Sequence, residues 1–194
     1  VRALKGRLAA TEDDEAQTKE SFFYQWAEIK EGLALLGDPQ FERQMVSLLE
    51  TYSDYPKDWF SGKKVLDAGC GMGRWSFVLH HLGAEVVAVD QSASGIANLN
   101  SLLADSDRFQ AVQANLLQPV PLEPDFDLVW CSGVTHHTGN TKLATQHVAD
   151  CVKPGGRLFL MIYGEPNSKA EYNEINTYVT HRRATQDMSF EEKV

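Results

Sequence analysis

The chain has 194 residues, 43% of them hydrophobic, and carries a formal net charge of −9. This size predicts one domain with one sizeable core, and the negative charge argues against nucleic acid as a partner, because the densest basic cluster, residues 181–183 (HRR), is short. No apolar run is long enough to span a membrane and residues 1–7 lack the apolar stretch of a secretory signal, so we expect a soluble protein with no membrane partner.

Cysteine and histidine usage narrows the class of protein further. The three cysteines, Cys70, Cys131 and Cys151, are odd in number and form no C-x-x-C pair, which favours reduced thiols in a cytoplasmic protein. The six histidines show none of the spacings that gather zinc ligands, so we expect no metal site.

Residues 1–60 are predicted to form an N-terminal helical arm or cap. Residues 11–15 (TEDDE) are a charge run that we expect to be solvated. Two helices follow, each with an apolar face at helical spacing, and residues 37–39 (GDP) separate them. The two faces comprise Phe22, Trp26, Ile29, Leu33 and Leu36, and then Phe41, Met45, Leu48, Leu49 and Tyr52.

Residues 61–164 are predicted to form the α/β core. Apolar strands alternate with helices, which predicts a Rossmann-like, doubly wound, mostly parallel sheet with helices on both faces. Its binding crevice should lie where the strand order reverses, between the first and fourth strands. The predicted strands are Lys64 to Asp67, Glu85 to Asp90, Phe109 to Ala114, Phe126 to Cys131 and Arg157 to Tyr163, and the predicted helices are Arg74 to His81, Ser92 to Leu103 and Thr141 to Val152.

A glycine-rich turn between the first strand and first helix is the most informative motif. Residues 65–74 (VLDAGCGMGR) carry an acid near the strand end and then three alternating glycines, and residues 86–90 (VVAVD) end in a second acid, Asp90, at the distance expected of a ribose ligand. The turn does not have the G-x-G-x-x-G spacing of dinucleotide sites, because Arg74 occupies the position of the third glycine. Asp67 beside the turn disfavours a pyrophosphate, so we expect a nucleoside that carries positive charge.

These motifs resemble those of the class I S-adenosylmethionine-dependent methyltransferases, in particular the UbiE-like, methyltransferase-11-like group. The resemblance extends over roughly residues 59–164 and includes residues 112–115 (VQAN), 126–138 (FDLVWCSGVTHHT) and 152–158 (VKPGGRL). It implies S-adenosylmethionine as cofactor and methyl transfer to an acceptor. The fourth-strand motif lacks the Pro-Pro-aromatic signature of amide and base-amine methylation, and no Pro-Cys nucleophile appears, so a small-molecule acceptor is the expectation.

The resemblance also implies which residues hold the cofactor. Asp90 would take the ribose hydroxyls, and the glycine turn would lie under the methionine part. Asn115 stands where an acid commonly faces the adenine amine; both it and Gln91 are left open between adenine contact and ordinary loop capping. The implied cofactor-binding residues are Asp67, Gly69, Cys70, Gly71, Gly73, Asp90, Gln91, Asn115, Leu116, Cys131 and Ser132.

Catalysis requires mainly that acceptor and methyl group be aimed at each other in a site that excludes water. A general base is needed only where the acceptor must lose a proton, and His136 and His137, just after the fourth strand, are the candidates. The alternative is that they hydrogen-bond backbone or pack under the cofactor. Trp75 and Trp130 are expected in the core rather than in a substrate cage.

The two ends of the chain are interpreted by the same resemblance. Phe22, Tyr24 and Trp26 either pack in the core or cover the cofactor. Residues 165–194 are predicted to be a helical lid, with Tyr172, Ile175 and Val179 on one face and a capping box at residues 189–192 (SFEE). The final strand pair of this fold is not visible, so we expect a chain truncated before it.

Two other functions remain as alternatives. The neutral Asn115 and the missing sheet edge are compatible with a noncatalytic cofactor-binding subunit that needs a partner chain. A nicotinamide-dependent dehydrogenase is disfavoured by the glycine spacing.

Overall fold

The computed structural model describes residues 35–164, 168–171, 173, 177, 180 and 184. The chain divides into two compact units, one extending to Ile162 and one from Tyr163 onward. In the second unit, residues 169–171, 173, 177, 180 and 184 are helical and exposed; that this segment acts as a lid stays a prediction. The predictions for Phe22, Tyr24 and Trp26, for Tyr172, Ile175 and Val179, and for residues 189–192 lie outside the described residues.

Five parallel strands form one sheet in the order β3-β2-β1-β4-β5. The strand order reverses between β1 and β4, as predicted, so the carboxyl ends of these strands form a crevice. The predicted Rossmann-like fold is confirmed. The strands are β1 Lys64–Ala68, β2 Glu85–Asp90, β3 Phe109–Gln113, β4 Phe126–Ser132 and β5 Val152–Met161.

The start of β5 differs from the sequence prediction. The strand was expected from Arg157, but it begins at Val152, which pairs with Phe126. Between that pair and the Leu128–Arg157 pair, β4 advances two residues (126 to 128) while β5 advances five (152 to 157). The extra residues form a bulge, so a proline and two glycines that predict a turn lie within the strand instead.

Helices cover both faces of the sheet, as predicted. Each begins at a side-chain or glycine cap; Asp38, for example, accepts hydrogen bonds from the first amide groups of α1. The last helix ends at Ala149 rather than at the predicted Val152. The helices are α1 Pro39–Ser53, α2 Arg74–His81, α3 Ala93–Leu102 and α4 Thr141–Ala149, with short 3-10 turns at Lys57–Phe60 and Thr135–His137.

Alternation along the strands divides the core into two layers. Val65 of β1 packs with α1 and α2, whereas its neighbour Leu66 packs with α4 on the other face. Helix α3 packs against Ala88 of β2 and Ala111 of β3. The described end of the predicted N-terminal arm therefore pads the sheet.

Trp75 and Trp130 are buried in the core, as expected, with ring centroids 5.0 Å apart. Together they fill the layer between α2 and the sheet. Among the described helices, none combines the length and the apolar character that a membrane span requires.

Candidate functional site

The glycine turn joins β1 to α2 at the crevice. Gly69, Gly71 and Gly73 have φ angles of 80°, 55° and 86°, a left-handed region that side chains rarely adopt. The amide groups of Gly69 and Cys70 both donate to the carbonyl of Val89, at 2.7 and 3.0 Å, and thereby tie the turn to β2. The alternating glycines are therefore a requirement of the backbone path.

Tight packing reinforces that requirement at two of the glycines. A Cβ atom at Gly69 would lie 2.9 Å from Cβ of Val134 and closer still to both its methyl groups. At Gly73 it would lie 2.8 Å from one methyl group of Leu99 and closer to the other. Sequence reasoning did not single out Val134 or Leu99, because a contact between distant residues leaves no local signal.

Asp90 lies at the end of β2 and holds the turn from the other side. One carboxylate oxygen accepts from the amide of Gly71 at 3.0 Å, and the other accepts from the amide of Ser92 at 2.8 Å. Burial raises the pKa of Asp90, and the amides that point at it partly offset this effect. Since each carboxylate oxygen can accept more than one hydrogen bond, acceptor capacity remains for two neighbouring hydroxyls.

Asp67 is buried beneath the turn, with 1% of its surface exposed. The hydroxyl of Ser76, one turn into α2, donates to its carboxylate at 2.6 Å. Burial raises the pKa of Asp67 to about 6; the hydrogen bonds of Ser76 lower it, the charge of Asp90 raises it, and Arg74 lowers it. Ser76 is a partner that the sequence analysis did not identify, although its place on the first turns of α2 is a usable signal.

The register places three polar side chains on one face of the sheet. Asp67 pairs with Ala88 and with Trp130, so Asp90 and Ser132, each two residues further on, project on the same side as Asp67. The hydroxyl oxygen of Ser132 is buried and has no hydrogen-bond partner in the part of the chain that the structure describes. An unsatisfied buried hydroxyl is costly, and its position indicates a place where a ligand would bind.

Three other predicted cofactor residues make contacts within the chain itself. The amide oxygen of Asn115 accepts from the backbone of Leu117 at 3.0 Å, which is the loop-capping alternative. Gln91 is exposed, and its carbonyl accepts from the side chain of Gln113. Leu116 is 5% exposed and packs in the core, with its carbonyl bonded to His147. Cofactor contacts by these three residues stay predictions.

The two site cysteines are buried thiols. Cys131 packs in the α4 layer, on the opposite face from Ser132, and burial raises its pKa to about 12. Cys70 lies in the glycine turn, and burial raises its thiol pKa well above the ordinary value. Both thiols therefore stay protonated at neutral pH, and neither supplies a nucleophile.

His136 and His137 form the 3-10 turn that follows β4, with ring centroids 4.1 Å apart. The pKa of His136 is lowered to about 4, mainly by burial and in smaller part by a positive charge on His137. Burial also lowers the pKa of His137. Both rings are therefore neutral at pH 7, and His136 is too weak a base to deprotonate an acceptor there, which leaves His137 as the candidate base.

We expect NMR titration to show the lowered pKa values of both histidines directly. The ring signals of His136 should stay those of the neutral imidazole down to pH 5, and those of His137 should titrate below the ordinary range near 6.5. His136→Gln and His137→Gln proteins assign the signals. Titration of His136 near pH 6.5 would restore it as a candidate base.

Comparison with known proteins agrees with this geometry. Residues 66–158 match the family model of a methyltransferase domain. The chain is 36% identical over 110 residues to the mitochondrial ubiquinone biosynthesis O-methyltransferase of Schizosaccharomyces pombe, and 34% identical over 110 residues to the ubiquinone biosynthesis O-methyltransferase of Idiomarina loihiensis. These alignments cover 54% and 53% of this chain but only 39% and 43% of the two enzymes, so less than half of each enzyme is matched.

Solved structures show the same fold. The N-methyltransferase NodS of Bradyrhizobium japonicum, solved with S-adenosyl-L-homocysteine, has a TM-score of 0.58 and 18% identity, covering 73% of this chain and 70% of its own. YcgJ of Bacillus subtilis has a TM-score of 0.56 and 20% identity, covering 70% of this chain and 57% of its own.

The parallel sheet, the left-handed glycine turn and the strand-end Asp90 together form the crevice at which open α/β sheets bind their ligands. Over residues 66–158 this chain is similar to methyltransferase domains.

Proposed function

We propose that this chain binds S-adenosylmethionine and transfers its methyl group to a small-molecule acceptor. The observation that carries the proposal is the crevice where the strand order reverses. Asp90 and the buried hydroxyl of Ser132, which has no partner among the described residues, lie there on one face, beside the glycine turn. These groups fit a nucleoside, because a carboxylate with remaining acceptor capacity suits ribose hydroxyls and glycines allow close approach of backbone.

The residues of the chain contribute to catalysis mainly by positioning the cofactor and the acceptor. When bound, the cofactor supplies a methyl group on a sulfonium: the acceptor attacks the methyl carbon in line, and the neutral thioether leaves. Asp90 holds Gly71 and Ser92 in place, so the floor of the crevice is organised before a ligand arrives. Prior organisation of this kind supplies much of the rate where the chemistry needs mainly orientation and exclusion of water.

Small molecules are the proposed acceptors. The relatives named as ubiquinone biosynthesis O-methyltransferases support testing hydroxyl acceptors first. For such an acceptor His137, neutral at pH 7, is the candidate base. A cytoplasmic location forms part of the proposal, since Cys70, Cys131 and Cys151 are all free thiols.

The cofactor assignment is tested by mass spectrometry of small molecules released from the purified protein. We expect S-adenosylmethionine or its demethylated product, and we expect S-adenosylhomocysteine to bind in calorimetric titrations in which NAD does not. Binding of NAD alone would favour the dehydrogenase alternative and contradict the proposal.

Methyl transfer is tested separately with a cofactor labelled in its methyl group. Incubation of the isolated chain with a metabolite extract should move label into a small molecule. Cofactor binding without transfer to any acceptor in the extract would favour the noncatalytic subunit.

A further inference from the structure

Two acids share the floor of the crevice with little positive charge near them. Asp67 lies one residue before the end of β1 and Asp90 ends the adjacent β2, on the same face of the sheet. Asp67 is 1% exposed, and its carboxylate is bonded to the neutral hydroxyl of Ser76 rather than to a cation. Arg74 is the cation whose charge reaches it within the described part of the chain.

This arrangement makes the ionisation of Asp67 responsive to the charge of a ligand. A buried carboxylate without an ion-pair partner is costly to ionise, and burial, the larger cause, holds the pKa of Asp67 at about 6 while Asp90 adds to the shift. A cation in the crevice would compensate the negative charge and lower that pKa. A neutral ligand of the same shape would leave it where it is.

We propose that Asp67 makes this site selective for the sulfonium form of the cofactor over its neutral demethylated product, and that the selectivity increases with pH. The inference rests on the proposed function and deepens it. The two ligands differ by one methyl group and one positive charge, so a charge-sensitive residue is what can separate them. Below about pH 6, Asp67 would be ionised while the ligand is cationic and would take up a proton from the solvent once the ligand is neutral.

The direction of the pH dependence follows from linkage. Below pH 6 most Asp67 side chains are protonated, so binding of a cation must release a proton and is weakened. Above pH 6 the carboxylate is already ionised, and a cationic ligand gains its full attraction. Each unit by which the sulfonium lowers the pKa of Asp67 corresponds to about a ten-fold change in relative affinity.

The groups that face Asp67 do not produce the same effect. Ser76 on α2 carries a neutral hydroxyl, and Arg74 supplies a charge that lowers the pKa of Asp67. The thiols of Cys70, in the glycine turn, and Cys131, on β4, have raised pKa values and stay protonated below pH 7. Asp90 on β2 is the other titrating group, so the experiment must separate it from Asp67.

The experiment is calorimetric titration with S-adenosylmethionine and with S-adenosylhomocysteine between pH 5 and pH 7. The α-amino group of both ligands is largely protonated over this range, so it cancels in the comparison. We expect the ratio of the Kd of S-adenosylhomocysteine to that of S-adenosylmethionine to rise with pH by about ten-fold. Buffers of different ionisation enthalpy should show more proton release at pH 5 with the cation.

Asp67→Asn keeps an oxygen that accepts from Ser76 but cannot titrate. In this protein the ratio should be independent of pH between 5 and 7, while the Asp127→Asn control, at the amino end of β4, should behave as the parent. A ratio that is flat in the parent protein would overturn the inference. A ratio that still rises in Asp67→Asn would also overturn it and would assign the pH dependence to Asp90.

Ser76→Ala gives a second, independent test that does not depend on the folding of Asp67→Asn. Loss of the hydroxyl that lowers the pKa of Asp67 should move the rise in the ratio to higher pH; an unmoved rise contradicts the inference. Failure of both ligands to bind the parent protein at every pH would instead contradict the proposed function.

Discussion

Replacement of Gly73 by alanine is expected to lower the free energy of unfolding by about 2–5 kcal/mol, the largest stability effect that we predict for a single methyl group. A non-glycine residue at a φ of 86° costs about 1–2 kcal/mol. The added Cβ would also clash with both methyl groups of Leu99, which is fully buried. Overpacking of this kind typically costs about 1–3 kcal/mol more. Denaturant unfolding followed by circular dichroism measures the difference.

Gly62 provides the matched control for that substitution. Its φ is 70°, but a Cβ there would meet nothing within 4 Å. Gly62→Ala should therefore show the backbone cost alone. If Gly73→Ala proves no more destabilising than Gly62→Ala, then Leu99 does not restrict this position and the packing argument is wrong.

Asp90→Ala is expected to weaken binding of S-adenosylmethionine by about 1–3 kcal/mol, which corresponds to a rise in Kd of roughly 5- to 150-fold. The substitution removes the proposed acceptor of ribose hydroxyls. It also leaves the amides of Gly71 and Ser92 without their partner, so the turn loses a support. Calorimetric titration at neutral pH gives the change in affinity.

Asp127→Ala is the control for this effect. Asp127 also accepts from a backbone amide, that of Lys64 at 2.9 Å, and pairs with Lys153, but it lies at the amino end of β4, away from the crevice. Its removal should lower stability and leave the Kd unchanged. Unchanged affinity in Asp90→Ala as well would remove Asp90 from the proposed site.

Strands β1 to β4 were predictable to within one residue at each end, since each is a short apolar run bounded by polar or turn residues. The start of β5 was not predictable in this way. Pro154, Gly155 and Gly156 indicate a turn by every local rule, yet pairing of Val152 with Phe126 extends the strand around them. Pairing between distant segments overrides local preference there.

The same distinction between local pattern and long-range contact applies to the residues of the candidate site. The glycine turn and Asp90 were recognisable because their spacing is local and their residue types are unusual at those places. The capping role of Asn115, the Ser76 partner of Asp67 and the contact of Val134 with Gly69 were not, because each depends on where a side chain points after folding.

The order of apolar strands and glycines along the chain was enough to predict a parallel sheet and a nucleoside crevice at its reversal point, because periodicity and backbone freedom are properties of short segments. Tertiary structure alone decided the ionisation of the groups in that crevice. Burial shifts the pKa of Asp67 to about 6 and that of His136 to about 4. Desolvation depends on everything packed around a group, and no local pattern in the chain carries that information.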